Sequence, residues 1–187
     1  MRVTKVAIVH ALVLAAPVAA SGRTAELARP RALACIAIMI AFSAIESSAR
    51  KAPDPSRFGA PGTGLALASS LALLATTWAA IALPVASPSP WTWVGAPLAL
   101  AGIALRRSAI LALGDAFISE TVLVPGRPIV MRGIYRLRHP SEVGLSLVAA
   151  GVASTGGSLV AACLAAAVVG PTILARVARE ERLLARL

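Results

Sequence analysis

Apolar residues fall in long uninterrupted stretches along this chain, and the polar residues collect between them. The first stretch runs from residue 3 to 20, behind Arg2 and flanking Lys5. A second covers Ala32 to Ala49, with Glu46 near its end, and a third runs from about Leu65 to Val85. The fourth starts at Trp91 and continues to about Leu113, with Arg106 and Arg107 in its last turns. Each is close to the ~20 residues that a bilayer-spanning helix needs, with tilt absorbing the difference. The first stretch ends in Val18-Ala19-Ala20 and so also has the shape of a cleaved signal peptide, but a retained helix is expected. Trp91 and Trp93 read as interfacial anchors. Arg106 and Arg107 read as markers of the membrane boundary, with their stems lying along the helix.

Between the second and third stretches, Arg50 to Gly64 is rich in Pro, Gly and charge, the signature of a solvated loop. Residues 114 to 141 form the most polar segment of the chain. Behind it, Val143 to Ala153 forms a short apolar arm of about a dozen residues, roughly 18 Å at helical rise. The turn Ser154-Thr155-Gly156-Gly157-Ser158 then leads into a second arm, Leu159 to about Ala175, which predicts a helical hairpin. Pro171 is expected to kink the second arm, and Arg176 to Leu187 to extend it into water as a charged amphipathic helix. The fold class expected is all-α, a multi-pass transmembrane bundle of four helices plus a C-terminal helical hairpin. Residues 1–187 are expected to form one domain, with transmembrane helices over 1–113 and the connector, hairpin and terminal helix over 114–187.

Composition sharpens this picture. Of the 187 residues, 58% are hydrophobic and 14% are charged, where a soluble domain carries about 25% charged residues. Ala dominates and aromatics are scarce, which suits close helix packing in lipid better than a water-soluble core. The net charge of +10 could signal nucleic-acid binding, but its Arg residues sit at the ends of apolar runs, where membrane proteins meet anionic headgroups. The connection between the third and fourth stretches lacks Lys and Arg, which places it outside. The polar segment, Arg50, Lys51, Arg57 and the N-terminus then face the cytoplasm of a bacterial-type inner membrane. Arg23, Arg29 and Arg31 run against that orientation. Cys35 and Cys163 lie in apolar runs and the only His are His10 and His139, so no metal site is expected.

Two segments concentrate chemistry at the membrane edge: Gly133-Ile134-Tyr135-Arg136-Leu137-Arg138-His139-Pro140 and Arg176-Val177-Ala178-Arg179-Glu180-Glu181-Arg182-Leu183-Leu184. Ionisable groups at that depth are costly unless paired or wet, which marks both as functional candidates. Arg176 and Glu180 are four apart and share a helix face. The hairpin between the segments should return both to one membrane face, with His139, Arg138, Arg176 and Glu180 lining one polar pocket. Taken singly, each residue has a plainer reading. His139 serves as a loop histidine or cap, the two glutamates as a solvated ion-pair face, Arg132, Arg136 and Arg138 as headgroup contacts, His10 as a packing residue, and Glu46 as the partner of Arg50.

A G-x-Y-x-x-R-H-P segment followed, after a helical hairpin, by R-x-x-x-E-E-x-x-L resembles the isoprenylcysteine carboxyl methyltransferase family, whose relatives include the phospholipid N-methyltransferases. The resemblance covers about residues 90 to 187. It implies an S-adenosylmethionine pocket on the cytosolic side, closed by the C-terminal hairpin, and a lipophilic or lipid acceptor arriving from the bilayer. Carried over residue by residue, it implies that Tyr135, His139, Pro140, Ser141 and Glu180 contact the cofactor. Arg127, Pro128, Ile129 and Val130 lie where the family lays backbone against the cofactor, and Arg176 would face the acceptor as the catalytic-site residue. A pocket for S-adenosylmethionine needs donors for a carboxylate and acceptors for an ammonium and hydroxyls, and His139 and Glu180 supply both. Methyl transfer from a sulfonium is an in-line displacement that needs mainly positioning and exclusion of water.

The chain departs from the family pattern at Glu142, where an aromatic usually follows the R-H-P proline, and it lacks the usual tail after E-E-x-x-L. Both departures touch the pocket wall and the route of the acceptor. The acceptor group, whether carboxylate, amine or hydroxyl, stays open, as do a non-catalytic membrane scaffold and a sterol-reductase-like oxidoreductase. The last of these lacks a Gly-rich phosphate-binding segment in this chain.

Overall fold

A computed structural model of the chain describes residues 2–49, 64–83, 90–114 and 133–185, and every regular element among them is helical. In chain order these are α1 (Arg2–Ala20), α2 (Thr24–Leu27), α3 (Pro30–Ala49), α4 (Leu65–Ala82) and α5 (Trp91–Leu113). After the 3₁₀ turn Gly133–Arg136 come α6 (Pro140–Gly156), α7 (Leu159–Leu164), a π-helical turn Ala165–Val169, and α8 (Gly170–Leu184). Four segments are long and apolar enough to cross a membrane: Pro30–Ser47, Leu65–Ala82, Trp91–Leu113 and Leu159–Leu184. The membrane-crossing set therefore includes the second hairpin arm. Within α1, only the shorter apolar stretch Ala11–Ala20 is found.

The hairpin differs from expectation in two details. Its first arm has 17 residues, because Pro140 occupies the first helical turn, where its missing N–H costs nothing, and Ser154 to Gly156 continue the helix. Gly157 then takes the left-handed conformation at φ 62°, with its own N–H on Ser154 O and the Ser158 N–H on Ala153 O. That Schellman arrangement satisfies the final carbonyls and turns the chain. The Ser158 hydroxyl caps α7 by accepting from the Ala161 N–H. In the second arm Pro171 acts through a widened turn. Its ring would collide with the carbonyl four residues earlier, and the preceding turn opens into a π ladder, in which the Gly170 N–H reaches back to Ala165 O.

The helices run alternately up and down. At one end Arg23 of the α1–α2 connection donates to the Ala82 carbonyl that closes α4, and Gly156 lies against Ala80. Trp91 and Trp93 are exposed at that end, in keeping with an anchoring role. Arg29 and Arg31 of the same end both bind Glu26, at 2.9 and 3.3 Å. Charge that ran against the proposed orientation is thus partly neutralised. α1 joins the bundle through buried Leu14 and Val18, and the Trp78 indole of α4 donates to Val13 O.

The closest packing is between antiparallel α5 and α6. Gly95, Ala99, Gly102 and Arg106 stand on one face of α5, opposite Thr155, Gly151, Val148 and Gly144 of α6. A Cβ on Gly95 would sit 2.3 Å from the Thr155 nitrogen, and one on Gly102 would sit 2.6 Å from Gly144 O. A Cβ on Gly151 would sit 2.5 Å from the Ala99 nitrogen. Backbone therefore meets backbone along the whole contact, the small-residue packing by which helices associate in lipid. Gly102→Leu and Gly151→Leu are expected to lower stability by at least ~1–3 kcal/mol, the usual cost of overpacking. Ala101→Leu, on the exposed face of α5, should be close to neutral. Unfolding of purified protein by SDS in mixed micelles measures all three.

Candidate functional site

The end of the bundle opposite Arg23 gathers the polar chemistry. There the connector re-enters through the 3₁₀ turn, and the Tyr135 hydroxyl donates to Ala109 O of α5 at 3.3 Å. Burial raises the pKa of that phenol, and the nearby charges of Glu142 and Glu180 raise it further, so Tyr135 stays protonated. His139 follows at φ 53° and ψ 50°, the one non-glycine residue with positive φ among the described residues. A residue before proline is barred from the helical region, and a left-handed side chain costs about 1–3 kcal/mol. Neighbouring interactions must hold it.

They do so from both sides. His139 Nδ1 lies 2.7 Å from Glu180 Oε2, and Nε2 lies 2.7 Å from Glu181 Oε1. Ionised carboxylates only accept, so both ring nitrogens must donate and the ring is an imidazolium. Burial works against that charge. The hydrogen bonds and negative charges of Glu180 and Glu181 outweigh it and raise the His139 pKa above its ordinary value. Arg138 adds a further contact to Glu181 Oε2 at 3.0 Å. The clamp is open to water on its carboxylate side, with the His139 side chain 13% exposed and Glu180 40% exposed.

Directly beneath lies a second, drier cluster. Arg106 pairs with Glu46 of α3 through Nε, and its Nη1 donates to Ser141 Oγ at 2.7 Å and to Ser141 O at 3.2 Å. Its guanidinium also stacks over Phe42, 5.8 Å from the ring centre. Arg176 Nη2 binds Glu142 Oε1 at 3.2 Å. Arg106 and Arg176 are 4% and 6% exposed. The structure corrects the boundary reading of Arg106: Arg107 is the exposed member of the pair, while Arg106 turns inward because Gly102 and Gly144 bring α6 within its reach. Glu46 spends its charge on Arg106, and Arg50, its expected partner, lies outside the described residues.

A cavity of about 480 Å³ opens against this cluster, between α1, α3 and α4. Val9, Val13, Leu67, Leu71 and Leu74 supply apolar wall, and Glu46, Arg106 and Arg176 the polar end. The size falls within the range of small-molecule sites, and the mix of apolar wall with a few polar groups is their usual make-up.

Tyr135, His139, Pro140, Ser141, Arg176 and Glu180 thus come together at one end of the bundle. Their detailed partners refine the expectation. The Ser141 hydroxyl accepts from Arg106. Arg176 reaches the cavity while bound to Glu142, the position where the family pattern is broken. Arg127, Pro128, Ile129 and Val130 lie outside the described residues. Sequence reasoning missed Glu46, Arg106 and Glu142 as one network with Arg176. The available signal was charge within apolar runs, which in a membrane marks a functional interior by default.

Comparison with known proteins agrees with the motif reading. Residues 94–186 match the family model described as "Isoprenylcysteine carboxyl methyltransferase (ICMT) family". No curated protein and no solved structure matches the chain significantly.

The double clamp has a pH signature. Because the folded-state pKa of His139 is raised, its contribution to stability is complete below the ordinary value of 6.5 and is lost as pH climbs through the raised one. Histidine-labelled NMR should find His139 titrating above 6.5. Replacing Glu180 and Glu181 together by Gln should bring it below that value, since burial then acts alone. His139→Ala should flatten the same arm of the stability profile.

Proposed function

The C-terminal half of the chain belongs to the isoprenylcysteine carboxyl methyltransferase family, and on that premise we propose a membrane methyltransferase that takes its methyl group from S-adenosylmethionine and gives it to a lipophilic acceptor. The observation that carries this reading is the His139–Glu180–Glu181 clamp at the wet end of the bundle, set directly above a buried cavity with polar groups at one end only. A soluble, charged cofactor and an apolar acceptor need such a pair of adjoining compartments.

The donor set fits the cofactor. S-adenosylmethionine, when bound, supplies an electrophilic methyl on a sulfonium and brings an ammonium, a carboxylate and ribose hydroxyls. Glu180 and Glu181 are each about two-fifths exposed and each spends one or two contacts on His139 and Arg138, so lone pairs remain for an ammonium or hydroxyls. His139 fixes both carboxylates from one ring and keeps positive charge at the mouth, where a carboxylate is to be held. Tyr135, protonated, adds a hydroxyl, and Pro140 a small apolar surface at the helix start. Ser141 connects this shell to Arg106. Arg127, Pro128, Ile129 and Val130 are proposed as backbone contacts on the strength of the family pattern.

Catalysis then rests on placement. Arg176, held by Glu142, orients the acceptor in the dry compartment, and the helices around it exclude water that would otherwise shield the reacting groups. The site is proposed to face the cytoplasm, from the Arg-rich ends of the helices on that side.

Isothermal titration of full-length protein in detergent with S-adenosylhomocysteine tests the assignment. Wild type should bind, and His139→Ala and Glu180→Ala should each weaken binding at least tenfold. Arg107→Ala, exposed and outside the network, should not change it. A wild-type protein that binds neither S-adenosylmethionine nor its demethylated product would overturn the methyltransferase reading.

A further inference from the structure

The cavity's lining carries a hydrogen-bonding bias that identifies what it holds. Ser47, Ser69 and Ser70 all line it. Each has already spent its hydroxyl proton on its own helix: Ser47 on Ala44 O at 2.9 Å, Ser69 on Leu65 O at 2.7 Å, and Ser70 on Ala66 O at 2.9 Å. A hydroxyl with its proton committed offers only lone pairs, so these three serines accept and do not donate. Glu46 adds a carboxylate with capacity beyond the one bond it takes from Arg106.

The donors are occupied. Arg106 gives its protons to Glu46 and Ser141, and Arg176 is bound to Glu142. An incoming carboxylate would have to displace a buried carboxylate from one of them, leaving that group without its counter-charge. The compartment therefore suits a ligand that donates hydrogen bonds.

Resting on the methyltransferase reading above, we propose that the acceptor is a lipophilic primary or secondary amine, and that Glu46 determines this specificity. An amine donates N–H to the serine oxygens and Glu46 while its chain lies along Leu67, Leu71 and Leu74. Its transfer step also balances without a base. The nitrogen lone pair forms the N–C bond to the methyl as the C–S bond breaks, sulfur keeps that bond's electron pair, and the positive charge moves from sulfur to the new ammonium. Glu46 then faces that cation. A hydroxyl acceptor would need its proton removed during attack, and the carboxylates at this end are tied to guanidinium groups, which makes them weak bases.

Three probes of equal chain length separate the possibilities: dodecylamine, dodecanoate and dodecan-1-ol, added to full-length protein in non-ionic detergent. The amine should raise the melting temperature in a saturable way and compete with no more than tenfold lower affinity for the alcohol's binding range, while dodecanoate has no saturable effect. With methyl-labelled S-adenosylmethionine, label should enter the amine at least tenfold faster than the acid. Glu46→Gln should weaken amine binding at least tenfold, and Glu46→Asp should restore most of it. Both variants should keep wild-type affinity for S-adenosylhomocysteine, which reports separately on the methyltransferase reading. Equal or preferential binding or methylation of dodecanoate, on the unchanged protein, overturns the proposal whether or not Glu46→Gln folds. So does a folded Glu46→Gln with undiminished amine affinity.

Discussion

The site depends on the backbone-to-backbone contact of α5 with α6. Lipid offers no hydrophobic drive for one helix to leave its solvent for another, so association relies on close contact, and small residues are what permit it. Gly95, Ala99 and Gly102 on α5 face Gly144 and Gly151 on α6, in places where any added carbon would overlap backbone atoms. The consequence lies one helical turn beyond Gly102. Arg106 is carried to the start of α6, where its guanidinium meets both the hydroxyl and the carbonyl of Ser141. With larger residues at the contact, Ser141 would move out of reach and a buried guanidinium would lose half its partners.

That buried network is better understood as a positioning device than as a source of stability. Moving two charges out of water costs several kcal/mol per ion, and their attraction seldom returns much more than that. What the arrangement supplies is direction. Glu46 brings α3 to Arg106, Arg106 holds the first turn of α6, and Glu142 in that turn holds Arg176 of α8. Helices from both halves of the chain are thereby registered at one end of the bundle. Removing one partner leaves a charge stranded in a dry interior, so each substitution in this set is felt by all of them. Glu142 belongs to this logic: where the family pattern calls for an aromatic wall, this chain has a carboxylate that answers Arg176.

Much of this was legible in the order of residues. Uninterrupted apolar runs gave the helices to within a few residues, since in lipid a span must be long, apolar and helical. The Gly-Ser turn marked the hairpin, and the two charged segments flanking it announced the His139–Glu180 meeting. Pairings across the bundle were not legible. Glu46 has Arg50 four residues away and Arg106 sixty away, and local spacing favours the near partner because nothing in a single sequence reports which helix face looks inward. The glycine spacing on α5 and α6 did carry that information. Small residues recurring at one face of each helix mark the contact, and reading them would have turned Arg106 inward. Residues 127–130 are a different case: their assignment rests on the family pattern and they fall outside the described residues.

The four residues His139-Pro140-Ser141-Glu142 show why two such unlike compartments can share one wall. His139 looks outward to Glu180 and Glu181 at the wet edge, while Ser141 and Glu142 look inward to Arg106 and Arg176. Pro140 enforces the separation. It starts the helix, bars the residue before it from helical geometry and leaves His139 in a left-handed conformation that faces away from the turn that follows. Electrostatics then differ sharply over one helical turn. Outside, water screens the carboxylates and a charged ligand can be exchanged; inside, low polarity makes every unpaired charge costly, so only groups matched to the lining can enter. A methyl group crossing that wall passes from a charged donor to an apolar acceptor without either having to enter the other's solvent.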